Sequence, residues 1–188
     1  MVTYLLPHLE DILPHIEYEF DGIDFSSLSE KSIQNFLEGS PKVIHFLAAS
    51  SFLVGTYSLK SIDFSAQSYF IADGKPLVAM IRLVKGRKFS GVRGADFFRC
   101  VFENGICNKI SPPLFIMPDY ESKLFLSDFL KRHLSNDLFR ILVPPKNSNF
   151  NGYDMKLMES IREFSPKTIW VSLGSPKQDA LVESLFLD

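Results

Sequence analysis

The sequence predicts a single α/β domain, doubly wound and Rossmann-like, with a largely parallel sheet and helices on both faces. Three observations predict it. Short apolar runs recur along the chain, each closing in turn residues and leading into a segment with helical spacing. Those runs are near-continuously apolar, as strands buried on both faces require, where a strand with one wet face would alternate. Strand and helix alternate with no internal repeat and no linker long enough to divide the domain, which is how parallel crossovers are built.

Residues 1–40 form a lead-in. Up to Ser26 it mixes apolar and acidic residues around Pro7 and Pro14, an irregular or short-helical pattern. Ser27, Ser29 and Glu30 then open a short amphipathic helix to about Leu37, and Gly39 stops it. The α/β domain occupies 41–188. Its strands are expected at Val43–Leu47, Tyr69–Ala72, Leu114–Met117, Arg140–Val143 and Thr168–Leu173. Helices are expected at about Ser51–Leu59, Pro76–Lys85, Ala95–Glu103, Glu121–Leu134 and Tyr153–Phe164, with another opening after Pro176.

Composition narrows the function classes. Of 188 residues, 46% are hydrophobic and 22% charged, enough apolar material for one substantial core and too much for a disordered chain. Twenty basic against 22 acidic side chains leave a net charge of -2, which lacks the positive field of a nucleic-acid binder. Cys100 and Cys107 fit neither a disulfide scaffold nor a zinc site, and reduced structural thiols are expected. No stretch reaches the roughly 18 apolar residues of a membrane span, and the N-terminus has no basic, signal-like region. A cytoplasmic protein with peripheral membrane contact at most is the expectation. Eighteen Phe against a single Trp suit a large aromatic core or an apolar rim.

Ligands of an open parallel sheet bind at the carboxyl ends of its strands, so those ends hold the candidate site. Ala72-Asp73-Gly74, Pro118-Asp119, Pro144-Pro145-Lys146-Asn147 and Gly174-Ser175-Pro176-Lys177-Gln178-Asp179 stand there. Asp73 leaves an apolar strand with Gly74 free to turn sharply, which suits a general base at a cleft rim, although an Asx-turn or helix cap is the commoner role of a lone Asp-Gly. Gly174, Pro176, Lys177 and Gln178 combine close backbone approach with a cation and an amide at a helix start. That is anion-binding chemistry, or a plain strand-to-helix turn. Lys85, Gly86, Arg87, Lys88, Gly91, Arg93, Gly94, Ala95 and Asp96 interleave cations and glycines, as for a diphosphate or anionic headgroups. Solvated surface explains Lys85 and Lys88 as well, whereas Arg93 sits between glycines before a helix. His45 lies inside the first apolar strand, as a satisfied core histidine or a site residue. His8, His15 and His133 have no partners at ligand spacing, so no metal site follows.

In this order, the first strand with its helix, Ala72-Asp73-Gly74, Gly86 through Arg93-Gly94-Ala95-Asp96, and Gly174-Ser175-Pro176-Lys177-Gln178 resemble the bacterial WecG/TagA/CpsF glycosyltransferase family, from about Lys42 to Asp188. The resemblance implies a metal-independent, inverting transferase. Such enzymes move an N-acetylmannosamine-type or related sugar from a UDP donor to an undecaprenyl-diphosphate-linked acceptor, in teichoic acid, enterobacterial common antigen, capsule or exopolysaccharide synthesis. It implies no separate cofactor and a place at the inner face of the plasma membrane. Asp73 matches the family's proposed general base, Lys177 and Gln178 its polar turn, and Arg93 the arginine of its glycine-flanked motif. Gly74, Gly94, Gly174, Pro176 and His45 complete the expected substrate-binding set.

The chain also departs from the family pattern. Its first strand runs His45-Phe46-Leu47-Ala48-Ala49 without the usual Asn, Met117-Pro118-Asp119 replaces a glycine-containing turn, and Asp179 stands for Glu. The family's Arg- and aromatic-rich C-terminal segment is not represented before Asp188. An inactive family member serving as a nucleotide-sugar-binding or scaffold subunit of a polysaccharide-assembly complex is therefore the alternative. A dinucleotide oxidoreductase is disfavoured because Ala48-Ala49-Ser50-Ser51 stands where G-x-G-x-x-G belongs. Apolar ends such as Leu185-Phe186-Leu187 would tolerate a homo-oligomeric interface.

Overall fold

A computed structural model describes residues 42–48, 62, 64–85, 91–108, 112–135, 138–145 and 155–186. The expected helices at Ser27–Leu37 and Ser51–Leu59, the Gly86-Arg87-Lys88 stretch and Lys146-Asn147 lie outside the described residues. In chain order the elements are β1 (Val43–Ala48), β2 (Ser68–Asp73), α1 (Lys75–Lys85), α2 (Gly94–Glu103), a 3-10 turn (Ile106–Asn108), β3 (Pro113–Ile116), α3 (Tyr120–Leu130), β4 (Arg140–Leu142), α4 (Met155–Phe164), β5 (Thr168–Val171) and α5 (Lys177–Phe186). The apolar runs are strands, and the periodic segments among the described residues are helices, with ends displaced by about one turn at most.

Local sequence explains each helix. In α1, Leu77 and Ile81 stand four residues apart on the buried face, while Leu83 points to solvent. In α2, Phe97, Val101 and Phe102 make the buried stripe. Asp119, one of the polar residues at a strand end, caps α3 by accepting the Ser122 N–H at 2.7 Å. A carboxylate before a helix satisfies a donor that the first turn leaves without an intrahelical partner.

All strand pairs among the described residues are parallel, but they form two small sheets in place of one continuous sheet. β1 pairs with β2, and β3 lies between β4 and β5. An apolar run reports that a strand is buried; it does not report which strand lies beside it. Side chains join the two sheets. One core unites Ile71 of β2, Phe115 of β3 and Ile141 of β4 with Phe97, Val101 and Phe102 of α2 and Leu130 of α3. Phe97 contacts Phe46 of β1 and Trp170 of β5, with ring centroids 5.4 and 6.3 Å apart.

The two-faced burial expected of the strands holds fully for β3 alone. Phe115 faces the core beneath α2 and α3, whereas Leu114 and Ile116 pack with Leu157 of α4 and Leu181 of α5. Helices thus cover both faces at this strand, in keeping with the two-residue period of a strand. β1 alternates buried and half-buried residues, and β5 is half-exposed. Phenylalanine serves both expected purposes: Phe97, Phe102 and Phe115 are fully buried, while Phe125 of α3 is exposed beside Tyr120 and Leu124. Cys100 and Cys107 are free thiols.

Candidate active site

Asp73 ends β2 opposite Ala48, so it stands at the carboxyl end of both strands of that sheet. Gly74 follows at φ +86°, a left-handed conformation that favours glycine, and turns the chain into α1. The chain then returns to the same point. The Val92 N–H donates to the Ala72 carbonyl at 3.1 Å. Gly91 lies so close to β2 that a β-carbon there would stand 2.3 Å from the Ala72 oxygen and 2.6 Å from Val78 Cγ2. Only a residue without a side chain permits this approach.

That backbone bond delivers Arg93, the next residue, to the strand end that carries Asp73. Arg93 also starts α2, its carbonyl accepting the Asp96 and Phe97 N–H groups at 3.0 Å each. Its guanidinium is 68% exposed and only loosely paired with Asp96 at 3.8 Å, so it is open to an incoming anion. Gly94 has a packing role: a β-carbon there would lie 3.2 Å from Cγ of Phe46.

The second half of the site is the turn before α5. Gly174 has φ +80°, and its N–H donates to Gln178 Oε1 at 3.1 Å, so the amide of Gln178 braces its own turn. Pro176 directly precedes the helix, and its carbonyl accepts the Ala180 N–H at 3.1 Å. Lys177 is exposed at the first helical position.

A buried charge cluster ties this helix to β1. His45 Nδ1 lies 2.8 Å from Asp179 Oδ1, and Nε2 lies 2.7 Å from Glu183 Oε1. The three residues are 3%, 1% and 3% exposed, respectively. An ionised carboxylate only accepts hydrogen bonds, so the doubly protonated imidazolium is the form of His45 that satisfies both contacts. Burial alone would pull the His45 pKa down, but the hydrogen bonds to Asp179 and Glu183, with their negative charge, outweigh it and hold the imidazole above its ordinary value. Burial would likewise raise Glu183. Hydrogen bonds from His45, the Ser68 hydroxyl and the Ser65 N–H, with the imidazolium charge, instead keep its carboxyl below the usual range. Asp179 Oδ2 accepts from Ser175 Oγ at 2.7 Å.

The cluster fixes the direction of α5. Glu183 binds Ser65 and Ser68 at the amino end of β2, Asp179 lies one helical turn earlier, and Ser175 another turn before that. The helix therefore lies against β1 with its carboxyl half toward the amino end of β2. Among the described residues no group of three or more His, Cys, Asp and Glu side chains is arranged to hold a metal ion. The two nitrogens of His45 face separate carboxylates instead of converging on one point.

The model of the Glycosyl transferase WecG/TagA/CpsF family matches residues 14–186. The chain belongs to the WecG/TagA/CpsF glycosyltransferase family. No curated protein and no solved structure matches it. The family match opens at residue 14, well before Lys42, and so takes in most of the lead-in. No helix among the described residues is long and apolar enough to cross a membrane.

Within this WecG/TagA/CpsF chain the motif residues fall into two groups. Asp73 and Gly74 stand at the end of β2, where the Val92–Ala72 bond also brings the backbone just before Arg93; Gly174, Pro176, Lys177 and Gln178 form the turn before α5. His45 lies deeper, with both ring nitrogens engaged. Sequence reasoning overlooked Glu183 and the structural weight of Asp179 and Gly91. One signal was present: Asp179 and Glu183 stand four residues apart, hence on one helix face, with Ala180, Leu181 and Val182 between them.

Proposed function

We propose that the chain is an inverting glycosyltransferase that moves an N-acetylmannosamine-type or related sugar from a UDP donor to an undecaprenyl-diphosphate-linked acceptor. It would work in the cytoplasm, at the inner face of the plasma membrane, in bacterial cell-surface polysaccharide synthesis. In this reading the Asp73 carboxylate takes the proton of the acceptor hydroxyl as that oxygen bonds to the anomeric carbon. On the opposite face the bond from that carbon to UDP breaks, the electron pair leaves with the diphosphate, and the configuration inverts. Arg93, Lys177 and the first-turn N–H groups of α2 and α5 meet the charge on the departing diphosphate. The protein's own cations supply this stabilisation without a bound metal, and the nucleotide sugar is a substrate, so no separate cofactor enters.

The observation that supports the reading is the Val92–Ala72 backbone bond, which brings the chain just before Arg93 to the strand end that carries Asp73. Asp73→Asn tests it. The variant is expected to lose at least about 100-fold in transfer, the lower range for a positioned general base, while retaining UDP affinity. Unchanged turnover rejects the assignment. The absence of an Asn from the His45–Ala48 end of β1 favours a second reading, a nucleotide-sugar-binding subunit without transfer activity. UDP binding by the wild type with no product from any lipid-linked acceptor would select it.

A further inference from the structure

The mechanism leaves one group of buried titratable side chains unused. His45, Asp179 and Glu183 come from β1 and from α5, up to 138 residues apart in sequence, and are the direct polar tie between them. Among the described residues, Asp179 and Glu183 are the charged groups that face the ring. From β2 it meets Phe70, stacked at 5.2 Å, and from the segment before β2 it meets Phe64 edge-on, also at 5.2 Å. Neither ring can take up a charge.

Proton count decides what this tie can do. With two ring protons, both carboxylates are satisfied; with one, a buried carboxylate oxygen faces a nitrogen lone pair at under 3 Å. Glu183 has further donors in Ser68 and the Ser65 N–H, both at the amino end of β2. Asp179 has the hydroxyl of Ser175, which belongs to the Gly174–Gln178 turn itself. A ring with one proton serves only one carboxylate at a time, so its hold on Asp179, and through Ser175 on the turn, is no longer continuous.

We propose that protonated His45 is a positioning residue, a charged clamp that holds Asp179, and through Ser175 the Gly174–Gln178 turn, against β1, and that loss of its proton releases the turn. The proposal rests on the reading of that turn as part of the transferase site, but its first measurements need no sugar substrate. Nitrogen-15 NMR of the full chain reads the ring directly: both His45 nitrogens are expected to carry protons at pH 6 and to lose one only above the ordinary imidazole value. Over the same pH series, amide exchange at residues 174–180, corrected for its intrinsic pH dependence, is expected to accelerate at least tenfold as the ring deprotonates. His45→Gln, whose amide is uncharged, does not titrate and donates from a single nitrogen, is expected to show fast exchange throughout and no such step.

A ring that loses its second proton at or below the ordinary imidazole value, or a step that persists in His45→Gln, overturns the proposal. Where His45→Gln fails to fold, Asp179→Asn serves instead: it removes one carboxylate, so the step moves to lower pH, and an unmoved step is equally fatal. In the transfer assay, kcat/KM is expected to fall along the same titration in the wild type and to be low and flat across it in His45→Gln. If the exchange step is present and no transfer is found, the clamp stands and the transferase reading falls. If transfer is found and the step is absent, the reverse holds.

Discussion

Replacing His45 with Leu removes the cation and leaves the carboxylates of Asp179 and Glu183 in the interior. Each keeps other donors, Ser175 for Asp179 and Ser68 with the Ser65 N–H for Glu183, but neither has a compensating charge. Stripping one partner from a buried ion pair costs about 3–5 kcal/mol. For a chain of this size each kcal/mol lowers Tm by about 2–4 °C, so a fall of about 6–20 °C is expected in a thermal melt at pH 6. The pH dependence is the sharper test. His45 is raised on folding, so its contribution is complete below the ordinary imidazole pKa of 6.5 and is lost as pH rises through the raised value. Glu183 is lowered on folding, so its contribution is complete above its ordinary 4.5 and is lost as pH falls through the lowered value. The gap between wild type and His45→Leu is therefore widest between about pH 5 and 6.5 and narrows on either side. A gap below about 1 kcal/mol, the scale of an exposed pair, or one that is flat with pH, refutes the assignment of a buried imidazolium.

Two further substitutions separate the site from the scaffold. Gly91→Ala sets a β-carbon 2.3 Å from the Ala72 carbonyl, so backbone must move; we expect about 1–3 kcal/mol of destabilisation by urea denaturation and at least a tenfold loss of transfer as Arg93 shifts from Asp73. Wild-type activity in that variant would show that the Gly91–Ala72 approach positions nothing essential. Asp119→Ala removes the α3 cap and is expected to cost about 1 kcal/mol with transfer unchanged; a large loss of activity would return Asp119 to the site.

Much of the fold was legible because its signals are local. The runs around Phe70, Phe115 and Trp170 are apolar enough to identify strands, and Leu77 with Ile81, or Phe97 with Val101, stand at helical spacing. Sheet connectivity was not legible. The same runs suit one continuous sheet, and nothing in them tells that β1 pairs with β2 while β3 lies between β4 and β5. The carboxyl end of β2 and the turn before α5 stand out in the sequence as candidate site material because glycine, cations and carboxylates collect there. Gly91 shows the limit of such reading: beside basic residues it reads as one more flexible position, and its contact with Ala72 exists only in the folded chain.

His45 and Glu183 show the same limit from the other side. Read singly, each is ordinary, a histidine in an apolar strand and a glutamate in a helix near the end of the chain. Burial of either alone would be costly, so each requires the other as a partner. A hydrophobic substitute of similar volume would serve stability about as well, since desolvating three charged groups offsets much of their attraction. Packing therefore gives little reason for the cluster to be ionic. What an ionic cluster adds is directionality: it accepts one depth and one orientation of α5, and thereby one placement of the Gly174–Gln178 turn against β1. Replacing all three residues with apolar ones separates these contributions, because stability should recover from the His45→Leu level while the turn loses its fixed position.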